Sequence, residues 1–274
     1  MRIGIYCLSV IAIAGQMVLG GCGAAGNREK LQLQGTSEYG EEKGEIILTA
    51  QEMDILCKTY VDEKRIRSGN LYSYQKKFLE QYQEGMRYLS EKYPSKDFCV
   101  LSGVPENKMN AETVFYFQES DQKVSCELHV NTKEDGTYEI KDNYYGRQIA
   151  GTVEEYMEEQ LKKAGFSVQA VSVSYEKAMG MDVNDRMKLE DIKGMSRELG
   201  GITDIFLESS SVDDSFEKMI KNEVLKLGFC GAFYIYISEP GILKLDNRKE
   251  YRDYLRQNGA DAFKNSISFR SFEN

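Results

Sequence analysis

Residues 113–142 read TVFYFQESDQKVSCELHVNTKEDGTYEIKD. Apolar and polar side chains alternate along 124–130 and 138–142, the period of two that a strand with one buried face requires, and the aromatic run 113–118 reads as a strand beside them. Glu134, Asp135, Gly136 and Thr137, between the last two runs, form a strong tight-turn signal. A further run of the same period lies at 98–102. Together these segments predict an antiparallel meander.

Working outward, the period changes. Upstream, Thr49 and Glu52 have the spacing of a helix-starting capping box, and Met53, Leu56, Cys57 and Tyr60 follow at helical spacing. Leu71, Tyr74, Phe78, Tyr82, Met86, Leu89 and Tyr93 then mark one stripe of a long helix that stops before Pro94. The stripe reads as core packing. Downstream, Thr152 and Glu155 suggest a second capping box, with Val153, Tyr156, Met157, Leu161 and Ala164 on the helix face. Gly165 ends that helix and a strand follows over 166–175.

The same order returns with Asp214 and Glu217, the face Met219, Ile220, Val224 and Leu227, then Gly228 and a strand over 232–238. Residues 185–199 read as helical, 202–207 as a strand, 248–257 as a helix and 266–269 as a last strand. The run Phe233 to Ile237 is apolar on both faces, which places it centrally in a covered sheet. The fold class expected is α+β: N-terminal helices packed on an antiparallel meander over 45–178, then helix–strand units over 179–274, in one domain or two lobes.

The first residues have the layout of an export signal: a cation at Arg2, an apolar run to Leu19, and small residues at Gly20 and Gly21. Gly4, Ser9, Gly15 and Gln16 interrupt the run, whereas a membrane span needs about 20 predominantly apolar residues. A plain secretory peptide and an N-terminal membrane helix are the alternatives. The quartet Leu19, Gly20, Gly21, Cys22 resembles the bacterial lipobox. That resemblance implies a lipoprotein, cleaved after residue 21, with a diacylglyceryl group on Cys22 that holds it at the extracytoplasmic face of the membrane. Two acyl chains matter, because one alone anchors only marginally. Residues 22–44, rich in Gly, Gln, Ser and Glu, read as a flexible tether.

The chain carries a formal charge of −9. Removing residues 1–21 takes away one base, Arg2, and leaves 34 basic against 44 acidic residues, a charge of about −10. Nucleic acid is not expected as a partner, since phosphate binding wants clustered positive charge. An acidic exterior also repels anionic lipid headgroups. Cys57, Cys99, Cys126 and Cys230 match no zinc spacing and read as buried small apolar residues. Cys99 and Cys126, on neighbouring predicted strands, are the candidate pair for a disulfide.

Chemistry-bearing motifs are few. His129 is the only histidine, which removes most serine- and cysteine-nucleophile arrangements; alternation puts it opposite Leu128 and Val130, on an exposed face. Ser174 and Lys177 have a Ser-x-x-Lys spacing, but at a strand end and with no Lys-Thr-Gly downstream. Glu154, Glu155, Glu158 and Glu159, and likewise Asp213 and Asp214, read as helix-start carboxylates. Asp182, Asn184 and Asp185 lack the glycine and distal glutamate of a calcium loop. No catalytic residue, metal site or cofactor is indicated. Tyr144 and Tyr145, beside Gly146 and Arg147, are the expected exposed contact patch.

Glu91, Lys92 and Tyr93 before Phe98, and Asp142, Asn143 and Tyr144 after the meander, resemble uncharacterised envelope proteins of Gram-positive bacteria. In those, a helix ending in Glu-Lys-Tyr, several strands and an Asp-Asn-Tyr segment precede a helix. The likeness covers about residues 70–165 and implies an α+β fold with no known activity. The function expected is a non-enzymatic, lipid-anchored domain that binds an envelope protein or peptide. The alternative is a carboxylate-dependent cell-wall hydrolase, since paired Asp or Glu residues do acid–base work without histidine.

Overall fold

A computed structural model describes residues 46–271. The signal segment, the tether and the quartet Leu19, Gly20, Gly21 and Cys22 lie outside the described residues. The chain has an α+β fold, built on two four-stranded sheets.

The predicted capping box at Thr49 forms: the Glu52 carboxylate accepts from the Thr49 amide at 2.7 Å, and helix α1 follows at Ala50–Thr59. A short α2 at Glu63–Arg67 leads to α3 at Ser73–Lys92, whose stripe buries Phe78, Leu79, Tyr82 and Leu89. Tyr74, placed on that stripe by spacing, is half-exposed and packs edge-on to Tyr60.

The meander follows as β1 (Phe98–Val104), β2 (Thr113–Glu119), β3 (Cys126–Thr132) and β4 (Tyr138–Asp142), in that order across the sheet and antiparallel throughout. Its turn closes through the Lys133 amide donating to Thr137 O at 2.8 Å, with the Asp135 carboxylate accepting from Thr137. Phe115, Phe117, Leu128 and Val130 face α3. Gly85 lets that helix approach, since a Cβ there would stand 2.6 Å from Leu128 Cδ2.

Helix α4 spans Tyr144–Lys163 and begins two turns before the box expected at Thr152 and Glu155. The Asp142 side chain accepts from the Tyr144 amide at 2.9 Å and starts the helix there, so Glu154 and Glu158 fall mid-helix. The second sheet has the order β5 (Ser167–Ser174), β6 (Ile202–Glu208), β7 (Gly231–Ser238), β8 (Asn265–Ser271). Only β6 and β7 run parallel, joined by α6 at Asp214–Lys226. The helix expected over 185–199 is shorter, α5 at Leu189–Met195. The cap of α6 is Asp213, which accepts from the Phe216 amide at 2.8 Å.

Both expected terminators adopt the left-handed conformation, Gly165 at φ 92° and Gly228 at φ 80°, and each is followed by a buried phenylalanine. β7 is central, and its sheet is covered on both faces. Val171, Ile205, Phe233 and Ile235 join the main core; Phe206 and Tyr236 pack under Tyr251 of α7 (Arg248–Asn258) and under Phe263. Buried side chains on both sides of position 178 belong to one contiguous core.

Two expectations about side chains need correction. Cys99 and Cys126 are free, because β2 lies between their strands. Two strand spacings are about 9.5 Å, beyond the ~7 Å limit for bridged Cα atoms. The register also puts Cys126 on the face of Phe117 and Cys99 on the opposite face, beside Gln118. Tyr144 and Tyr145 are buried, at 1% and 6% exposure, and form no exposed patch.

Gly231 tests the packing of the second sheet. Its φ is 143°, and a Cβ would stand 2.5 Å from the Gly201 carbonyl oxygen. Gly231→Ala is expected to lower unfolding free energy by about 2 kcal/mol. Gly151→Ala, in the open middle of α4, is expected to raise it by up to ~1 kcal/mol. Urea denaturation midpoints read both.

Candidate functional site

The two short motifs at the ends of α3 and β4 converge. Lys92 lies on the buried stripe, one turn beyond Tyr88 and Leu89, and β4 delivers Asp142 to it. Lys92 Nζ donates to Asp142 Oδ2 at 2.7 Å, to the Tyr88 hydroxyl at 2.9 Å and to Met179 O at 3.1 Å. Tyr88 donates to the same carboxylate oxygen, and Tyr93 donates to Oδ1 at 2.9 Å. The Lys92 and Asp142 side chains are 1% and 0% exposed. Burial pushes the lysine pKa down against the pull of Asp142, and pushes the two phenols up. Every ammonium proton has an acceptor, so this sealed group organises the fold and offers nothing to a ligand.

The expected contact residues serve the same centre. The Tyr144 ring packs 4.9 Å from both Tyr93 and Phe98, and its hydroxyl donates to Glu119 at 2.6 Å. Tyr145 donates to Met187 O at 3.0 Å. Arg147 donates to Ser125 O at 2.7 Å and pairs with Glu176.

A second charged cluster is partly open to solvent. β5 is an edge strand, and α4 turns two carboxylates toward its amides: Glu158 accepts from the Val171 amide at 3.1 Å and Glu154 from the Val173 amide at 2.9 Å. Arg248 of α7 bridges them, 2.8 Å from Glu158 and 3.4 Å from Glu154. The edge is thereby blocked against further strand pairing. Burial raises the Glu154 pKa; Glu158 is buried too, but Arg248 and the Val171 amide hold it below the usual carboxylate value.

Asp204 stands on β6 between Ser172 and Tyr234 in register. Burial pushes its pKa up to about 6, with the Arg252 charge opposing. Arg252 acts on Glu154 as well. Glu154 and Asp204 are thus two carboxyl groups of raised pKa that both feel the charge of Arg252. Asp204 is not among the sequence-derived candidates, although a lone carboxylate inside the apolar run Ile202 to Leu207 is a signal of such a group.

The remaining motifs do not assemble. His129 is held between Glu112, at 2.8 Å, and Glu127, at 3.3 Å. The Ser174 hydroxyl donates to Glu176. Asn184 closes its own turn through Met181 O and the Arg186 amide. Among the described residues no three His, Cys, Asp or Glu side chains are grouped to hold a metal ion. Comparison with protein-family models, curated proteins and solved structures found no match.

Asp204 predicts a pH dependence. Its folded pKa lies above its unfolded value, so the folded state keeps a proton that the unfolded chain has lost, and stability falls as pH rises from about 4 to about 6. Asp204→Asn should match the wild type near pH 4 and exceed it in urea midpoint at pH 7. Identical midpoints at both pH values would show that the carboxyl is not desolvated.

Proposed function

We propose that the chain is a bacterial lipoprotein of the cell envelope, anchored at the extracytoplasmic face of the membrane through a lipid on Cys22, whose folded part binds an envelope protein or peptide. The observation that carries this reading is the quartet Leu19, Gly20, Gly21, Cys22 behind an apolar run. Glycines leave the backbone unhindered for a peptidase cleft, and a thiol is the best side-chain nucleophile for forming a thioether. No described helix is long and apolar enough to cross a membrane.

Several charged groups are spent on the fold. The buried Lys92 pair is sealed, and Glu154 and Glu158 are engaged in closing a sheet edge. A carboxylate-dependent hydrolase is the second reading, favoured by Asp204, whose raised pKa suits a general acid.

The anchor is tested by growing bacteria that express the wild type or Cys22→Ala with labelled palmitate. The wild type is expected in the membrane fraction with label and with acyl mass on its N-terminal cysteine, and the variant without label. An unacylated mature N-terminus beyond residue 22 would overturn the reading.

A further inference from the structure

Between α3 and β4 runs a surface groove of about 490 Å³, within the range of ligand-binding clefts. Its apolar lining is Tyr138 and Ile140 of the edge strand β4, both partly buried against the core, and Met181, which is 46% exposed. Its helix wall carries Glu84, Arg87 and Glu91. Arg87 is paired with both glutamates on the helix surface, and such exposed pairs are weak and exchange readily.

The charge around this lining is one-sided. Glu80 accepts from the Tyr138 hydroxyl at 3.5 Å, and the charge of Asp182 reaches Tyr88 and Lys92. Among the groove's described lining residues, Glu84 and Glu91 stand against the guanidinium of Arg87, with Glu80 at the Tyr138 end, since Lys92 is sealed below and neutralised by Asp142. Lys141 and Glu139 pair with each other and alternate to the other face of β4.

The walls are held in place before anything binds. Tyr88 lines the groove while its hydroxyl is fixed by Asp142 and Met179. Met179, two residues before Met181, is hydrogen-bonded through both its amide and its carbonyl to Asp142. Preorganisation of this kind lowers the cost of binding.

From this geometry we propose that the α3–β4 groove is the docking site for a basic, amphipathic peptide segment of a partner protein. Its apolar side chains would seat on Tyr138, Ile140 and Met181, and its Lys or Arg side chains would replace Arg87 as partners of Glu84 and Glu91. From residue 80 to residue 91 the helix wall is about 16 Å long, the span of about five extended residues. The proposal rests on the reading of the folded part as a binding domain and names the chemistry of its partner.

The test uses the full chain purified in detergent and a fluorescein-labelled peptide, Lys-Leu-Lys-Phe-Lys-Leu-Lys, followed by anisotropy, with the same peptide carrying Glu for Lys as control. The basic peptide should bind and the acidic one should not. E84K together with E91K should weaken binding about tenfold or more, and Met181→Ser about fivefold. E155K with E159K, the same charge change on the exposed face of α4, should leave affinity unchanged. Equal loss from both reversals, equal binding of the two peptides, or no binding would overturn the proposal. The assay reads the folded surface whether or not Cys22 is acylated, so its failure and a failure of the anchor are distinguishable.

Discussion

Lys92 and Asp142 lie 2.7 Å apart with essentially no solvent access. Either charge alone at this depth would cost several kcal/mol, and the pair is tolerable because its remaining donors and acceptors are met. Three tyrosine groups and one carbonyl meet them: the hydroxyls of Tyr88 and Tyr93, the Tyr144 amide and Met179 O. Those partners come from the end of α3, from the start of α4 and from the connection between β5 of the second sheet and α5. A single carboxylate thus fixes where β4 ends, where α4 begins and how residue 179 returns to the first sheet. Replacing both partners of such a pair by well-packed apolar residues is often neutral or stabilising, whereas removing one alone costs about 3–5 kcal/mol.

The effect spreads through α4. Its first turn packs Tyr144 against Tyr93 and Phe98, and its middle turns Glu154 and Glu158 onto the edge of β5. One helix therefore serves both sheets, and a boundary near residue 178 would divide side chains that share one core. The same centre fixes Tyr88 and Met179, and through them the wall of the α3–β4 groove.

Much of the fold was legible because it follows from local rules. The period-two runs became β1 to β4, the 134–137 turn closed as expected, and Thr49 with Glu52 formed its capping box. What could not be read depended on tertiary pairing. Asp142, two residues before α4, started that helix in place of the box at Thr152, and so carried Tyr144 and Tyr145 inward. Strand order separated Cys99 from Cys126. Of the sites, the Glu-Lys-Tyr and Asp-Asn-Tyr segments were noticed only as a resemblance, since no local rule shows a lysine at the end of a helix stripe meeting an aspartate fifty residues on. The apolar groove was invisible for the same reason: its two walls are 50 residues apart in sequence.

The Asp142 centre is a permanent part of the folded state, and the rest of the fold depends on it. Amide hydrogen exchange followed residue by residue reads this directly, because the Asp142 and Met179 amides donate to each other's carbonyls at 3.1 and 2.7 Å. Both should exchange only through global unfolding, with protection equal to that of Phe115 and Leu128 in the middle of the first sheet. Exchange of Met179 or Asp142 through a local opening, well below the global free energy, would contradict it.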